Sequence, residues 1–157
     1  MHPEIIEVET GKVRAARAPA KLRSLAIGSC VAVILYDHQH QVGGIAHVML
    51  PSTDTYLPSA DLLKYANFAI EELSKNLTDL GATKEALKAK LAGGAMVVRD
   101  SLDIGRENIK AVESKLEEMG IEVLARRLGG YERRSATLDT STGVVWVSEG
   151  EEKDKPM

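Results

Sequence analysis

At 157 residues and 17.0 kDa the chain has the length of one domain, since two would each approach the lower limit of independent stability. Apolar residues make up 44% and charged residues 27%, with 13 Gly and 5 Pro, which excludes a disordered or fibrous class. Lys and Arg number 20 against 23 Asp and Glu, a net charge of -3, so no overall positive field is available to hold a nucleic-acid backbone and nucleic acid is not an expected partner. The longest apolar runs, such as 31–35, fall far short of the roughly 20 residues of a membrane helix, so no membrane insertion is expected. Glu4, Glu7 and Glu9 stand where a secretory signal needs a basic end, and no lipidation motif is visible, which makes the cytoplasm the expected location.

In chain order, residues 5–10 can form a first strand, while the Gly, Arg and Ala segment up to Lys21 carries no clear pattern. Residues 22–27 and 31–36 are apolar and rich in β-branched side chains over strand-like lengths, with Gly28 and Ser29 punctuating them as a bend. Residues 37–41 are polar, and 42–50 is apolar on both alternating faces, as in an interior strand, so 30–50 reads as a β-hairpin. After the polar 52–55, Ser59 can cap a helix whose apolar positions Leu62, Ala66, Ala69, Ile70, Leu73, Leu77 and Leu80 keep helical spacing up to Gly81. A short strand is expected at 87–93, a helix at 105–119 stopped by Gly120, and a strand at 121–125. Residues 134–139 and 144–148 flank 140–143 as a hairpin, and 149–157, charged and ending near a Pro, reads as a flexible tail beyond a core at about 4–148. The expected class is α+β, a mixed or antiparallel sheet with two main helices in one domain.

The chain has one cysteine, which excludes an internal disulfide and, by itself, a thiolate metal site; Cys30 is either a small buried side chain or a reactive thiol. A catalytic thiol needs a base. If Tyr36 pairs with Gln41, antiparallel register places Cys30 opposite His47 on one sheet face, with Cβ atoms about 4.5–5.5 Å apart. A slip of two residues makes the pair diagonal neighbours. A slip of one sends them to opposite faces unless a bulge, for instance at Gly43 and Gly44, restores them. Ser24 sits on a strand that would carry it far from Cys30, and only a turn at Gly28 and Ser29 can bring its hydroxyl to His47, completing nucleophile, base and orienting hydroxyl. The alternative stays open on residues alone: a cysteine beside a Gly-Ser bend is more often inert packing, and a histidine in an apolar strand is more often a satisfied core residue. His38 and His40 read as turn residues, no metal site is expected, and Gly93-Gly94 and Gly129-Gly130 lack the spacing of a phosphate-binding loop.

The blocks Gly28-Ser29-Cys30-Val31-Ala32-Val33, Tyr36-Asp37 and Gly43-Gly44-Ile45-Ala46-His47-Val48-Met49-Leu50-Pro51 resemble the CheD family of bacterial and archaeal chemotaxis proteins. Lys64-Tyr65-Ala66, Lys90-Leu91-Ala92-Gly93-Gly94-Ala95, Ile104-Gly105 with Asn108, and Gly129-Gly130 followed by Arg134-Ser135 are similar to later family blocks in the same order. The resemblance implies the fold of a cysteine deamidase related to cytotoxic necrotizing factor. The implied activity is that of a protein-glutamine glutaminase, converting chosen glutamine side chains of methyl-accepting chemotaxis proteins to glutamate, with no cofactor. The family nucleophile falls on Cys30 and its histidine on His47. The third family residue, a threonine, falls on Ser24, and Glu107 stands where the family usually carries arginine. Gly28 and Ser29 are expected beside the oxyanion. Family members also bind CheC, a phosphatase of the response regulator CheY, so the competing expectation is a regulatory binding partner without catalysis.

Overall fold

Residues 31–35 are apolar without alternation, and all are buried, which a strand achieves only when both of its faces are covered. The computed structural model, which describes residues 4–54, 61–97 and 103–157, gives that strand both covers. The elements run β1 (Glu4–Glu7), β2 (Val13–Arg17), β3 (Ala20–Ile27), β4 (Val31–Asp37), β5 (Val42–Val48), α1 (Ala66–Asp79), β6 (Leu87–Gly93), α2 (Ile104–Glu118), β7 (Glu122–Leu128), β8 (Arg134–Asp139), β9 (Val145–Glu149) and β10 (Lys155–Pro156). One sheet has the order β2-β5-β4-β6-β7 and the other β1-β3-β8-β9-β10. Val31, Val33 and Leu35 pack with Ala69, Ile70, Leu73 and Leu77 of α1 and Val112 and Leu116 of α2, whereas Ala32 and Ile34 pack with Leu22, Ala136, Leu138 and Val147 of the second sheet. The architecture is therefore helices, sheet, sheet, an α+β fold as expected. Among the described residues no helix is long and apolar enough to cross a membrane.

The bend at Gly28 and Ser29 carries the chain from one sheet to the other, because β3 pairs with β1 and β8 while β4 pairs with β5 and β6. Just before it, the β3–β8 register shifts between Ser24 and Ile27, and Ala26 holds φ at 53°, a left-handed conformation uncommon for a residue with a Cβ. The segment without a sequence pattern supplies β2, an edge strand that pairs Val13 with Ala46 and Arg17 with Val42. It fits because Gly44 is bare: a Cβ there would collide with the Arg14 carbonyl. Gly43 and Gly44 thus make room and form no bulge, and β4 and β5 pair without interruption.

The hairpin register differs by two residues from the one that sets Cys30 opposite His47. Tyr36 pairs with Gly43 and Ala32 with His47. Asp37, expected in the turn, is the last residue of β4 and pairs with Val42. Its buried carboxylate accepts from the His40 N–H at 3.0 Å and the Thr83 N–H at 2.9 Å and meets His40 Nδ1 at 2.7 Å, which satisfies a polar side chain at a strand end. Burial alone would push that carboxyl up, but those hydrogen bonds hold it below the usual carboxylate range.

Helix α1 begins at Ala66, later than the apolar spacing predicts, and Ser59 lies outside the described residues. The reason is pairing. Leu62–Lys64 form a 3-10 turn capped by Asp61, and the Lys64 carbonyl accepts from the Met49 and Leu50 N–H groups, so Tyr65 stays extended beside the end of β5. Helix α2 starts at Ile104, with Asp103 Oδ1 accepting from the Arg106 N–H at 2.9 Å. At the C-terminus, Lys155 and Pro156 pair with Val147 and Trp146.

Candidate active site

Alternation along each strand decides which residues share the layer between the sheets. Cys30, just before β4, has the parity of Ala32 and Ile34 and packs on the same cluster. His47 faces Ala32 across the pair and has the parity of Ile45, which lies in that cluster too. Ser24 follows Leu22 by the period of a strand, and Val8, just after β1, completes the group. Nucleophile candidate, base candidate and hydroxyl therefore enter one end of the inter-sheet layer, with Cys30 and His47 as diagonal neighbours, the outcome of a two-residue slip.

The histidine ring is 1% exposed and held by one hydrogen bond, from Nδ1 to the Val8 carbonyl oxygen at 3.1 Å. A carbonyl only accepts, so Nδ1 carries the proton and the neutral ring keeps its lone pair on Nε2. Nε2 is buried and has no hydrogen-bond partner. Ser24, also fully buried, donates its hydroxyl to the same Val8 oxygen at 2.8 Å. The hydroxyl thus approaches His47 through a shared acceptor. Burial pulls the His47 pKa below the ordinary imidazole value, against the smaller opposing effect of the Val8 bond. Burial likewise pushes the Cys30 thiol up, with its own backbone N–H pulling weakly the other way. Both shifts favour the uncharged forms, so the resting pair is thiol and imidazole, with Nε2 as the available base.

Cys30 opens onto a cleft of about 470 Å³ lined also by Ala26, Gly28, Ser29, Ala95, Met96, Val97, Arg133 and the first turn of α2 from Asp103 to Gly105. The bend that carries the thiol is tied down on its carbonyl side. The Gly94 N–H donates to the Cys30 carbonyl at 2.7 Å and the Ala95 N–H to the Gly28 carbonyl at 2.9 Å. Gly93 makes that approach possible, since its φ of 122° suits glycine and a Cβ would run into the Cys30 carbonyl. Among the described residues no group of three or more His, Cys, Asp or Glu is placed to hold a metal ion.

The family described as "CheD chemotactic sensory transduction" matches residues 49–149. A protein of Methanococcus maripaludis (strain S2) is 39% identical over 151 residues, covering 94% of this chain and 97% of its own, and one of Clostridium botulinum (strain Hall) is 37% identical over 147 residues, covering 90% and 91%. The chain belongs to the CheD family. Both relatives are named "Probable chemoreceptor glutamine deamidase CheD". The family match begins beyond Cys30 and His47.

The two positions at which the resemblance implies a departure acquire a physical meaning here. Ser24 keeps the hydroxyl that threonine would offer, and the bond to Val8 is one either residue can donate. Glu107 is exposed on α2, lies outside the residues that line the cleft, and sits 3.8 Å from Lys110, so its charge is met locally. Sequence reasoning missed the Val8 carbonyl altogether. The same N-terminal stretch brackets His47 by backbone bonds, Gly11 N–H to the His47 carbonyl at 2.9 Å and His47 N–H to the Lys12 carbonyl at 3.0 Å, so the poorly patterned first residues hold this histidine in place.

Proposed function

We propose that this chain is a cytoplasmic chemoreceptor glutamine deamidase, a protein-glutamine glutaminase in which Cys30 is the nucleophile and His47 the general base. The observation that carries the reading is the buried Nε2 of His47, left without a partner beside a cysteine that opens onto a cleft, in a chain whose relatives are named for that activity. The Cys30 thiol passes its proton to Nε2 as sulfur attacks the glutamine carboxamide carbon, giving a tetrahedral oxyanion. The Nε2 proton then goes to the departing nitrogen, ammonia leaves, and a thioester remains. Water attacks that thioester while Nε2 takes its proton. Glutamate is released as the proton returns to sulfur, and the atoms balance as glutamine plus water to glutamate plus ammonia.

The test is mass spectrometry of chemoreceptor cytoplasmic fragments incubated with the reduced protein, in which specific glutamines are expected to become glutamates. No conversion on cognate receptors would overturn the reading and leave a binding role, towards a CheC-type partner, as the one to pursue.

Ser24 acts in this scheme through Val8. Ser24→Ala removes one donor from a carbonyl that still accepts from His47, so deamidation is expected to fall less than tenfold with about 1 kcal/mol lost in stability, from one buried hydrogen bond. Initial rates and thermal denaturation of the variant check this, and a loss as large as that of the cysteine variant would make the hydroxyl a direct participant.

A further inference from the structure

One buried side chain that the mechanism above does not use is Asn108, on the inner face of α2 and 0% exposed. Its Nδ2 donates to the Ser29 carbonyl at 2.9 Å and to the Met49 carbonyl at 3.1 Å. Both acceptors are carbonyl oxygens, so the amide orientation is set by chemistry: only the NH₂ end can serve them. Oδ1 is buried without a partner, so the side chain is held there by its two donor bonds alone. One bond reaches the residue before the cysteine, the other a residue just beyond His47, so a single amide ties the nucleophile's bend to the end of the base's strand.

Resting on the part of the deamidase reading that makes Cys30 a nucleophile, we propose that Asn108 is a positioning residue for oxyanion stabilisation, holding the Ser29–Cys30 peptide so that the Cys30 N–H serves the oxyanion formed on its own sulfur. A trans peptide directs its N–H opposite its carbonyl, so anchoring the Ser29 oxygen on α2 turns the Cys30 N–H away from that helix. The Cys30 N–H favours the charged form of its own thiol, so it acts on the atom on which the tetrahedral carbon is built. A donor on the carbonyl of a peptide also polarises the N–H of that peptide, which strengthens it as a donor. The close approach is built in. A Cβ at Gly105 would come within 2.5 Å of the Gly94 carbonyl, so the bare glycine lets α2 dock near enough for Asn108 to reach Ser29.

The test compares two reactions of the same thiol, neither of which needs a receptor. In alkylation by iodoacetamide, sulfur displaces iodide and no oxyanion forms. In acylation by p-nitrophenyl acetate, sulfur adds to the ester carbonyl through an oxyanion and p-nitrophenolate leaves. Asn108→Ala is expected to lower the acylation rate roughly 10- to 100-fold, somewhat less than outright deletion of an oxyanion donor, while alkylation and its pH profile stay within about threefold of wild type. The deamidation kcat should follow acylation, with KM for the receptor fragment little changed. Should Asn108→Ala fail to fold, Asn108→Asp keeps the shape and offers at most one donor in place of two; the ratio of acylation to alkylation should again fall. An unchanged ratio, or acylation and alkylation falling together, would overturn the assignment, as would a wild-type protein that is alkylated at Cys30 but not acylated. If wild type leaves receptor glutamines unchanged while the ratio falls in the variant, the deamidase reading fails and the role of Asn108 stands.

Discussion

Cys30→Ala will leave receptor glutamines intact under conditions in which the wild type converts them, a fall in rate of roughly 10⁴- to 10⁶-fold, the cost of deleting the nucleophile of a covalent hydrolase. The size of the effect follows from the chemistry left behind. His47 could still activate a water, but the cleft then lacks the atom that holds the acyl group between the two half-reactions, so no thioester can form as ammonia leaves. The fold should survive. Cys30 is only partly buried at one edge of the inter-sheet cluster, so truncation costs about 1 kcal/mol, which thermal denaturation of both proteins checks. Cys30→Ser is the sharper version, because it keeps a hydroxyl of similar shape; a hydroxyl is a far weaker acid than a thiol, and a lowered imidazole pKa makes its proton harder still to take, so the rate should stay far below wild type. Glutamate appearing on receptors with either variant at the wild-type rate would remove Cys30 from the mechanism.

The residues that announce this chemistry are side chains on strongly patterned strands. Residues 31–35 and 42–48 could be read as a hairpin because their apolar, β-branched composition and the polar 37–41 between them leave few other arrangements, and parity then put Cys30 and His47 on one face. The register itself was less legible, since it depends on whether Asp37 ends the strand or opens the turn. That is decided by the Thr83 N–H, far along the chain. The start of α1 was displaced for a similar reason: 62–65 has helical spacing, but the Lys64 carbonyl is taken by β5. Strand β2 carries no marking pattern because it is an edge strand of Arg and Ala fitted against a glycine on its neighbour. The acceptor for His47 Nδ1 is a main-chain carbonyl, which any residue type supplies, so nothing at Val8 distinguishes it in a single sequence. The candidate site was legible where it is made of side chains and illegible where it is made of backbone.

His47→Ala is expected to lower deamidation about 10²- to 10⁴-fold, the usual contribution of a positioned proton-transfer group, and to change its pH dependence in a definite sense. In the wild type the attack step needs neutral imidazole, which exists above the depressed His47 pKa, so the acid limb of kcat/KM should lie below the ordinary imidazole range. The thiol proton must be present to reach the leaving nitrogen, and burial raises the thiol pKa, so the alkaline limb should lie above the ordinary thiol range. The two displacements widen the plateau in opposite directions. In His47→Ala the acid limb should vanish and the residual rate should climb with thiolate alone. Stability responds through the same ring. A histidine whose folded pKa is lowered binds its proton more readily in the unfolded chain, so the native state is favoured in full above the unfolded value near 6.5 and loses stability as pH falls from there through the depressed native pKa. Denaturation midpoints measured downwards from pH 7 should therefore fall more steeply for wild type than for His47→Gln, which cannot titrate. Equal slopes, together with an acid limb in kcat/KM that persists without the ring, would show that another group supplies the base.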